Sequence, residues 1–407
     1  MMQQQGSNGG VAASPATSTA GGGPAVELPL HLTEKILCSI NPLQSARHAV
    51  VCKSWAATVS TRLARPVPHL FLCTPPSIDS PRRGLVVSVP LDGAPTTVVP
   101  SRVRSSDTNG LRCIGATPGG GHVAFAAGWW SRDVVLVNPV TGALQRVNVG
   151  EPCLDPRFSR VLAPGSGGDA FFAVEGYKLV LWRQRGGNKE AWSRCAVTGT
   201  LNPTNNIVSA VNCKGCFYLL LQDGCLSKVD ATAPAQAPLH IEKLPVPSLA
   251  DQFGSGRLLE ADGDVLFVRQ LLAYKEEIAI ESCMSSLSVG GFEVYRLDVE
   301  EQRWTKVDKL ADDTALFVSP GSSFAVRASE VEGCRSNFIY FAGENQYYSS
   351  PACREDGVSS WGMYSVEDGR VLFEHVVVTE PGRAAEVLWF LPRVTLGSLC
   401  KSLHKFV

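Results

Sequence analysis

The sequence predicts a mainly β protein with three parts: a disordered tail over residues 1–24, a small all-α segment over residues 25–65, and a β-propeller of six to seven blades over residues 66–407. Three observations predict this fold class. The chain is rich in turn-forming residues, short strands recur as hairpins at blade-like intervals, and one stretch near the amino end has helical rather than strand periodicity.

The composition supports a large folded core. The chain has 407 residues, of which 44% are hydrophobic and 18% charged, and this is too apolar for a chain that is disordered throughout. Its 38 glycines and 26 prolines are spread along the sequence and predict many turns between short strands. The formal net charge of −1 argues against a basic nucleic-acid-binding protein, because phosphate binding requires clustered positive charge. We therefore expect no nucleic-acid partner.

The amino-terminal tail lacks signals for folding and for targeting. Residues 1–24 contain six glycines and no charged side chain, so they bury too little to offset their ordering entropy. Lys and Arg are absent from residues 1–34, which argues against a secretory signal or a transit peptide. No apolar run reaches the length of about 18 residues that a membrane span needs. The 13 cysteines have no regular spacing, which is typical of reduced thiols. These features predict a protein of the cytoplasm and/or nucleus with no membrane partner.

Residues 25–65 have helical periodicity. Apolar residues recur every three or four positions in two segments, at Leu28, Leu32, Ile36, Leu37 and Ile40, and then at Val51, Trp55, Val59 and Leu63. Pro29 suits the first turn of the first helix, and Asn41, Pro42 and Gln44 suit the start of the second. A unit of this size rarely has enough core to be stable alone. Its apolar face must therefore pack on the propeller or on another protein.

From about residue 69 the periodicity is that of strands. Most of the predicted hairpins place an Asp-Gly, Thr-Gly or Gly-Gly pair between two apolar runs, where glycine supplies the positive φ of a tight turn. The predicted turns are centred near residues 92, 141, 187, 223, 300 and 368. The first three intervals, of about 36 to 49 residues, match the length of a four-stranded propeller blade. A β-sandwich pair is the structural alternative.

The helical segment resembles an F-box. The resemblance rests on Leu28-Pro29-x-His31-Leu32-x-x-x-Ile36-Leu37 followed by Val51-Cys52-Lys53-Ser54-Trp55, while residues 44–48 between them are more polar than is usual in that family. This resemblance implies docking on a Skp-type adaptor, and through it on cullin, in a Skp–cullin–F-box (SCF) ubiquitin ligase. The implied adaptor-binding residues are Leu28, Pro29, Leu32, Ile36, Leu37, Val51 and Trp55.

The remainder resembles the large C-terminal propeller domain of a plant F-box family, formerly described as a domain of unknown function. The stretches that carry this resemblance occur in order over most of residues 70–392. They are Gly121–Phe125, Val135–Pro139, Phe292–Leu297 with Trp304, Ala315–Phe317, Gly333-Cys334 with Asn337–Tyr340, and Met363–Val366. The family name implies a plant protein with a target-binding propeller.

Motifs for bond chemistry or cofactor binding are weak. The glycine-rich stretches 118–121 and 165–168 lack the other residues of a phosphate-binding loop or a dinucleotide fingerprint. Cys213 and Cys216, with Cys225, lack a nearby fourth zinc ligand, and they flank a turn. The sequence has neither a His-Glu-x-x-His motif nor a Gly-x-Ser-x-Gly motif. We therefore predict no catalytic residue, no metal and no cofactor.

One loop has the composition of a protein interface. Trp129, Trp130 and Arg132 lie in the run Gly-Trp-Trp-Ser-Arg-Asp, and Trp and Arg are enriched at binding hot spots. The alternative is that one tryptophan packs inside a blade, since adjacent strand residues face opposite sides. These three residues are the predicted target-binding residues.

The combined prediction is a non-catalytic substrate-receptor subunit of an SCF ubiquitin ligase, whose propeller binds an unknown protein target for ubiquitination. Two alternatives remain open. In the first, the helical segment packs on its own propeller and the protein is an interaction scaffold without a ligase. The second is a propeller enzyme or sugar-binding module, which would need a metal or convergent acids in the central channel.

Overall fold

The computed structural model describes the helical segment and the strands of the β region. The described residues are 28–40, 45, 48, 53–62, 67–74, 84–88, 91, 97–101, 103, 108, 111–116, 121–127, 133–148, 162–164, 170–175, 178–184, 192–195, 197–198, 207–230, 239–249, 256–275, 286–344, 359–377 and 386–392. The predicted tail over residues 1–24 lies outside these ranges.

Two α-helices precede the strands: α1 (Leu30–Cys38) and α2 (Lys53–Arg62). Pro29 occupies the position before α1 rather than its first turn, and its carbonyl oxygen accepts the N–H groups of Leu32 and Thr33 at 3.0 and 3.1 Å. At the other end, the Ser39 hydroxyl donates to the Ile36 carbonyl oxygen at 2.7 Å. The start predicted for the second helix, at residues 41–44, lies outside the described residues. Neither described helix has the length and hydropathy needed to cross a membrane.

The first sheet joins the two ends of the chain, and we call it the closing sheet. Its strands, in spatial order, are β26 (Glu386–Phe390), β1 (His69–Cys73), β2 (Gly84–Ser88) and β3 (Thr97–Pro100). β1 pairs antiparallel with both neighbours, so that Phe71 lies opposite Leu388 on one side and opposite Val86 on the other. Closing a propeller with strands from both ends removes two open sheet edges.

The remaining described strands form five further sheets. In spatial order these are β4 (Leu111–Ala116), β5 (Val123–Ala127), β6 (Asp133–Val137) and β7 (Leu144–Asn148); β11 (Trp192–Cys195), β10 (Lys178–Gln184), β9 (Ala170–Glu175) and β8 (Leu162–Pro164); β12 (Val197–Thr198), β16 (Leu239–Leu244), β15 (Leu226–Asp230), β14 (Cys216–Leu221) and β13 (Ile207–Cys213); β17 (Gly256–Ala261), β18 (Asp264–Lys275), β19 (Ser286–Asp298) and β20 (Arg303–Val307); and β22 (Ser322–Arg327), β21 (Thr314–Ser319), β23 (Phe338–Glu344), β24 (Ser359–Ser365) and β25 (Arg370–Val377).

The sheets follow one another in a closed cycle. One edge strand of each sheet contacts an edge strand of the next, in the order β26, β4, β8, β13, β17, β22 and back to β26. This is the radial arrangement of a β-propeller, in which each blade packs on two neighbours. The prediction of a mainly β protein with a propeller is confirmed.

The hairpins follow from local turn chemistry. All six predicted hairpins are present as antiparallel pairs: β2–β3, β6–β7, β10–β11, β14–β15, β19–β20 and β24–β25. Gly142, Gly224 and Gly369 have φ values of 74°, 76° and 65°, a region that L-residues with a Cβ rarely adopt. One pairing differs from a simple series of hairpins, because β21 pairs in parallel with β23 while β22 lies on the other side of β21.

Neighbouring sheets are joined by buried aromatic packing and by a few side-chain hydrogen bonds. The ring of Phe317 stacks on Tyr340 with centroids 4.7 Å apart and meets Trp389 edge-to-face at 5.0 Å. Ser319 Oγ accepts the Trp389 N–H at 3.0 Å, and Tyr364 Oη donates to the Phe292 carbonyl oxygen at 3.1 Å. These bonds satisfy buried backbone groups that have no partner within their own sheet.

Candidate protein-interaction surface

One side of α1 and the residues just before it present apolar side chains to solvent. Leu28, Leu32 and Ile36 recur at four-residue spacing and are 42%, 39% and 43% exposed. Residues four apart lie on the same face of a helix, so Leu32 and Ile36 are neighbours, with Leu28 just before the helix start. Leu30, on another side, is also exposed, as is Pro29. We call Leu28, Pro29, Leu32 and Ile36 the exposed row.

The opposite side of the helical pair is buried. Leu37 of α1 and Val59 of α2 are fully buried, in one hydrophobic cluster with residues of the closing sheet and of the β4–β7 sheet. Trp55 is half-buried against the same cluster, and its ring meets that of His48 edge-to-face at 5.9 Å. Of the predicted adaptor-binding residues, Leu37 is therefore not on the free surface, because it contributes to the protein's own core. Val51 lies outside the described residues.

The connection from α2 into the first strand is packed near β1. Val67 is half-buried against a second cluster and Pro68 is buried. His69 is also buried, its Nδ1–H donates to the Val67 carbonyl oxygen at 2.5 Å, and its ring lies 6.2 Å from that of Phe390. Burial lowers the pKa of His69 from 6.5 to about 4, against the opposing effect of the Val67 carbonyl, so the imidazole is neutral at physiological pH.

The predicted target-binding residues Trp129, Trp130 and Arg132 lie outside the described residues, in the sequence between β5 and β6. On another blade, sequence reasoning missed two exposed leucines of β18, Leu271 (39% exposed) and Leu272 (41% exposed). β18 and β19 are longer than their neighbours, and β17 pairs with β18 up to Arg269. An apolar pair inside a strand pattern predicts burial, so the sequence carried no signal for this exposure.

A charged cluster at the base of the β18–β19 pair was also missed. The Glu293 carboxylate accepts hydrogen bonds from Arg269 Nε at 3.0 Å, from Arg269 Nη2, from Lys306 Nζ at 3.2 Å and from Tyr295 Oη at 3.2 Å. The Arg269 guanidinium also lowers the pKa of Glu293, and Arg269 Nη1 donates to the Leu249 carbonyl oxygen at 3.2 Å. These groups satisfy one another and pin three strands together, which is a structural arrangement.

The cysteine motif lies at a hairpin turn. Cys213 and Cys216 are opposite each other at the ends of β13 and β14, around Lys214 and Gly215, whose φ values are 50° and 80°. Cys213 Sγ donates to the Gly263 carbonyl oxygen at 3.2 Å, and burial raises the pKa of both thiols. Within the described ranges, no group of three or more His, Cys, Asp or Glu side chains could hold a metal ion. The arrangement fits turn formation.

Comparison with known proteins identifies the propeller. The family model described as KIB1-4 β-propeller matches residues 87–365, which is more than half of the chain. The chain belongs to the KIB1-4 β-propeller family. Its match runs from β2 to β24 and so covers most of the cycle of sheets. The expected resemblance to plant F-box proteins with a C-terminal propeller is confirmed.

Two similar proteins are F-box proteins of Arabidopsis thaliana. The chain is 40% identical over 85 residues to F-box protein At2g26160, covering 21% of this chain and 24% of that protein. It is 37% identical over 86 residues to putative F-box protein At3g25750, covering 21% of each. The matches thus span less than a quarter of these relatives. Among solved structures, the periplasmic gluconolactonase PpgL of Pseudomonas aeruginosa has a TM-score of 0.41 and 11% identity, covering 80% of this chain and 99% of that one, which is too low to bear on function.

Proposed function

We propose that this KIB1-4 propeller protein is the substrate-receptor subunit of an SCF ubiquitin ligase. Residues 25–65 act as an F-box that binds a Skp-type adaptor and through it cullin, and the propeller, with six blades, binds the protein to be ubiquitinated. The F-box naming of the similar Arabidopsis proteins supports this role. Six sheets among the described residues support the blade number. The proposed location is the cytoplasm and/or nucleus of a plant cell.

The observation that carries the proposal is the exposed row on and before α1. Three large aliphatic side chains at four-residue spacing are each about two-fifths exposed, although the same helix buries Leu37 completely. A helix with one side in its own core and another apolar side in solvent is suited to bind a groove in a second protein. The adaptor contact is therefore assigned to the exposed row, with Trp55 at its border and Leu37 as a packing residue.

The role of the chain in the reaction is proximity rather than bond chemistry. A receptor that holds adaptor and target together raises the effective concentration of target lysines near the ubiquitin-loaded enzyme. For this role the propeller needs a target-binding surface. Trp129, Trp130 and Arg132 remain the proposed target-binding residues because of their interface-like composition.

The test is binding of the full-length chain to a purified Skp-type adaptor. Replacing Leu28 and Pro29 by alanine, or Leu32 and Ile36 by alanine, is expected to weaken binding by about 100-fold or more, since buried aliphatic anchors dominate interface energies. The matched control is Leu271→Ala/Leu272→Ala, which removes equally exposed leucines from the propeller. Undiminished adaptor binding by both exposed-row variants would refute the assignment.

The interaction scaffold without a ligase remains the second candidate. The burial of Leu37 and Val59 in the chain's own core favours it, because part of the helical face needs no foreign surface. Ubiquitination of a captured target, reconstituted with adaptor, cullin and the transfer enzymes, distinguishes the two functions. A scaffold captures the target but gives no ubiquitin transfer above that of the exposed-row variants.

A further inference from the structure

We propose that α1 and α2 are an integral part of the propeller's closure rather than a separable module, so that partner binding at the exposed row stabilises the propeller itself. The part of this inference that concerns the partner rests on the proposed function. The part that concerns the fold rests on the packing alone.

The first observation is the composition of one hydrophobic cluster. Leu37 and Val59 share it with Phe71 of β1 and with Leu388 and Phe390 of β26. The cluster extends into the next sheet, where its members are Val123 and Phe125 of β5, Val135 and Val137 of β6, and Val140 beyond it. The helical pair therefore packs at the junction between the closing sheet and the β4–β7 sheet. A closing sheet whose strands come from both chain ends depends on contacts of this kind.

The second observation is the packed connection. Val67, Pro68 and His69 lead into β1, and each of them is buried or half-buried. His69 is neutral and hydrogen-bonded to Val67, and its ring contacts the last residue of β26. Linkers that let domains move independently are exposed and polar. This connection near β1 instead ties the start of the propeller to its last strand.

The consequence is a thermodynamic coupling. If the helices and the closing sheet unfold together, a mutation that weakens the Leu37 packing weakens β1 and β26 to the same extent. A partner that binds the exposed row shifts the same equilibrium, because a ligand that binds only the folded state stabilises everything that unfolds with it. Deleting residues 25–65 is then expected to remove propeller stability as well as adaptor binding.

Hydrogen–deuterium exchange of the full-length chain, read in peptides covering β1 and β26, tests the fold part. Leu37→Ala is expected to accelerate exchange in β1 and β26 by about 30-fold or more, since truncating a buried leucine leaves a cavity. Val59→Ala is expected to act in the same direction with a smaller effect, and it serves if Leu37→Ala does not accumulate as folded protein. Leu32→Ala is the matched control on the exposed side of the same helix and is expected to leave these peptides at the wild-type rate. Faster exchange confined to α1 and α2 in both buried-site variants would overturn the inference.

Addition of adaptor to the unchanged chain tests the partner part. At a free adaptor concentration 100 times the Kd, exchange in β1 and β26 is expected to slow by about 100-fold. Saturated binding without any slowing in β1 and β26 overturns the coupling while leaving the proposed function standing. Absence of binding overturns the proposed function, and the Leu37 and Val59 variants then decide the fold part by themselves.

Discussion

Lowering the pH from 7 to 5 is expected to destabilise the closing sheet through His69. In the folded chain burial lowers the pKa of this imidazole to about 4, whereas in the unfolded chain it keeps its ordinary value of 6.5. Between these values the unfolded state binds a proton that the folded state does not. Stability is therefore complete above about pH 6.5 and is lost progressively as the pH falls towards 4.

The size of the effect follows from the two pKa values. A difference of about 2.5 pKa units corresponds to about 3.4 kcal/mol once the pH is below both values, because each unit is worth 1.36 kcal/mol. At pH 5 most of this is already expressed, and the expected loss relative to pH 7 is about 2 kcal/mol. This is a large part of the stability of a typical domain.

Urea unfolding of wild type and His69→Asn at pH 7, 6 and 5 measures this loss. Asparagine places an amide N–H near the position of His69 Nδ1, so it can still donate to the Val67 carbonyl oxygen, but it does not titrate. The difference in unfolding free energy between the two proteins is expected to move by about 2 kcal/mol in favour of the variant from pH 7 to pH 5. Parallel pH profiles would refute the reasoning, since the other six histidines cancel in the comparison.

Three further perturbations test the packing of the propeller. Gly115 has a φ of 151°, and an added Cβ would lie 2.3 Å from a carbonyl oxygen of the β21–β22 turn, so Gly115→Ala is expected to cost about 2 kcal/mol or more in thermal unfolding. Gly343→Ala, where the nearest atom is 3.6 Å away, is its control, and equal melting temperatures of the two variants would contradict the expectation. Ser319→Ala is expected to cost about 1–3 kcal/mol in urea unfolding, because it leaves the buried Trp389 N–H without its acceptor, and an unchanged midpoint would show that the bond contributes nothing. Burial raises the pKa of Cys334 to about 11, so iodoacetamide at pH 7 is expected to alkylate it about 100-fold more slowly in the folded chain than in urea, and equal rates would contradict the burial.

The hairpins were predictable because each depends on a few adjacent residues. At Thr141-Gly142 and Asp368-Gly369, glycine supplies the positive φ, and the flanking β-branched residues suit strands. Such local preferences are present in the sequence itself and do not depend on what packs nearby. The parallel pairing of β21 with β23 was not predictable in this way, because its partners are brought together by the intervening β22 and by burial against neighbouring sheets.

The same division applies to the interaction surface. Helical spacing identified Leu28, Leu32, Ile36 and Leu37 as one apolar set, since periodicity reports which residues are greasy and how they are spaced. The fold then separated the set, leaving three of them in solvent and enclosing Leu37 beside Phe71. Apolar character alone does not specify the surface that covers it, because the hydrophobic effect is non-directional. Which side faces the propeller depends on how β1 and β26 meet, and residues more than 300 positions apart come together only in the folded chain.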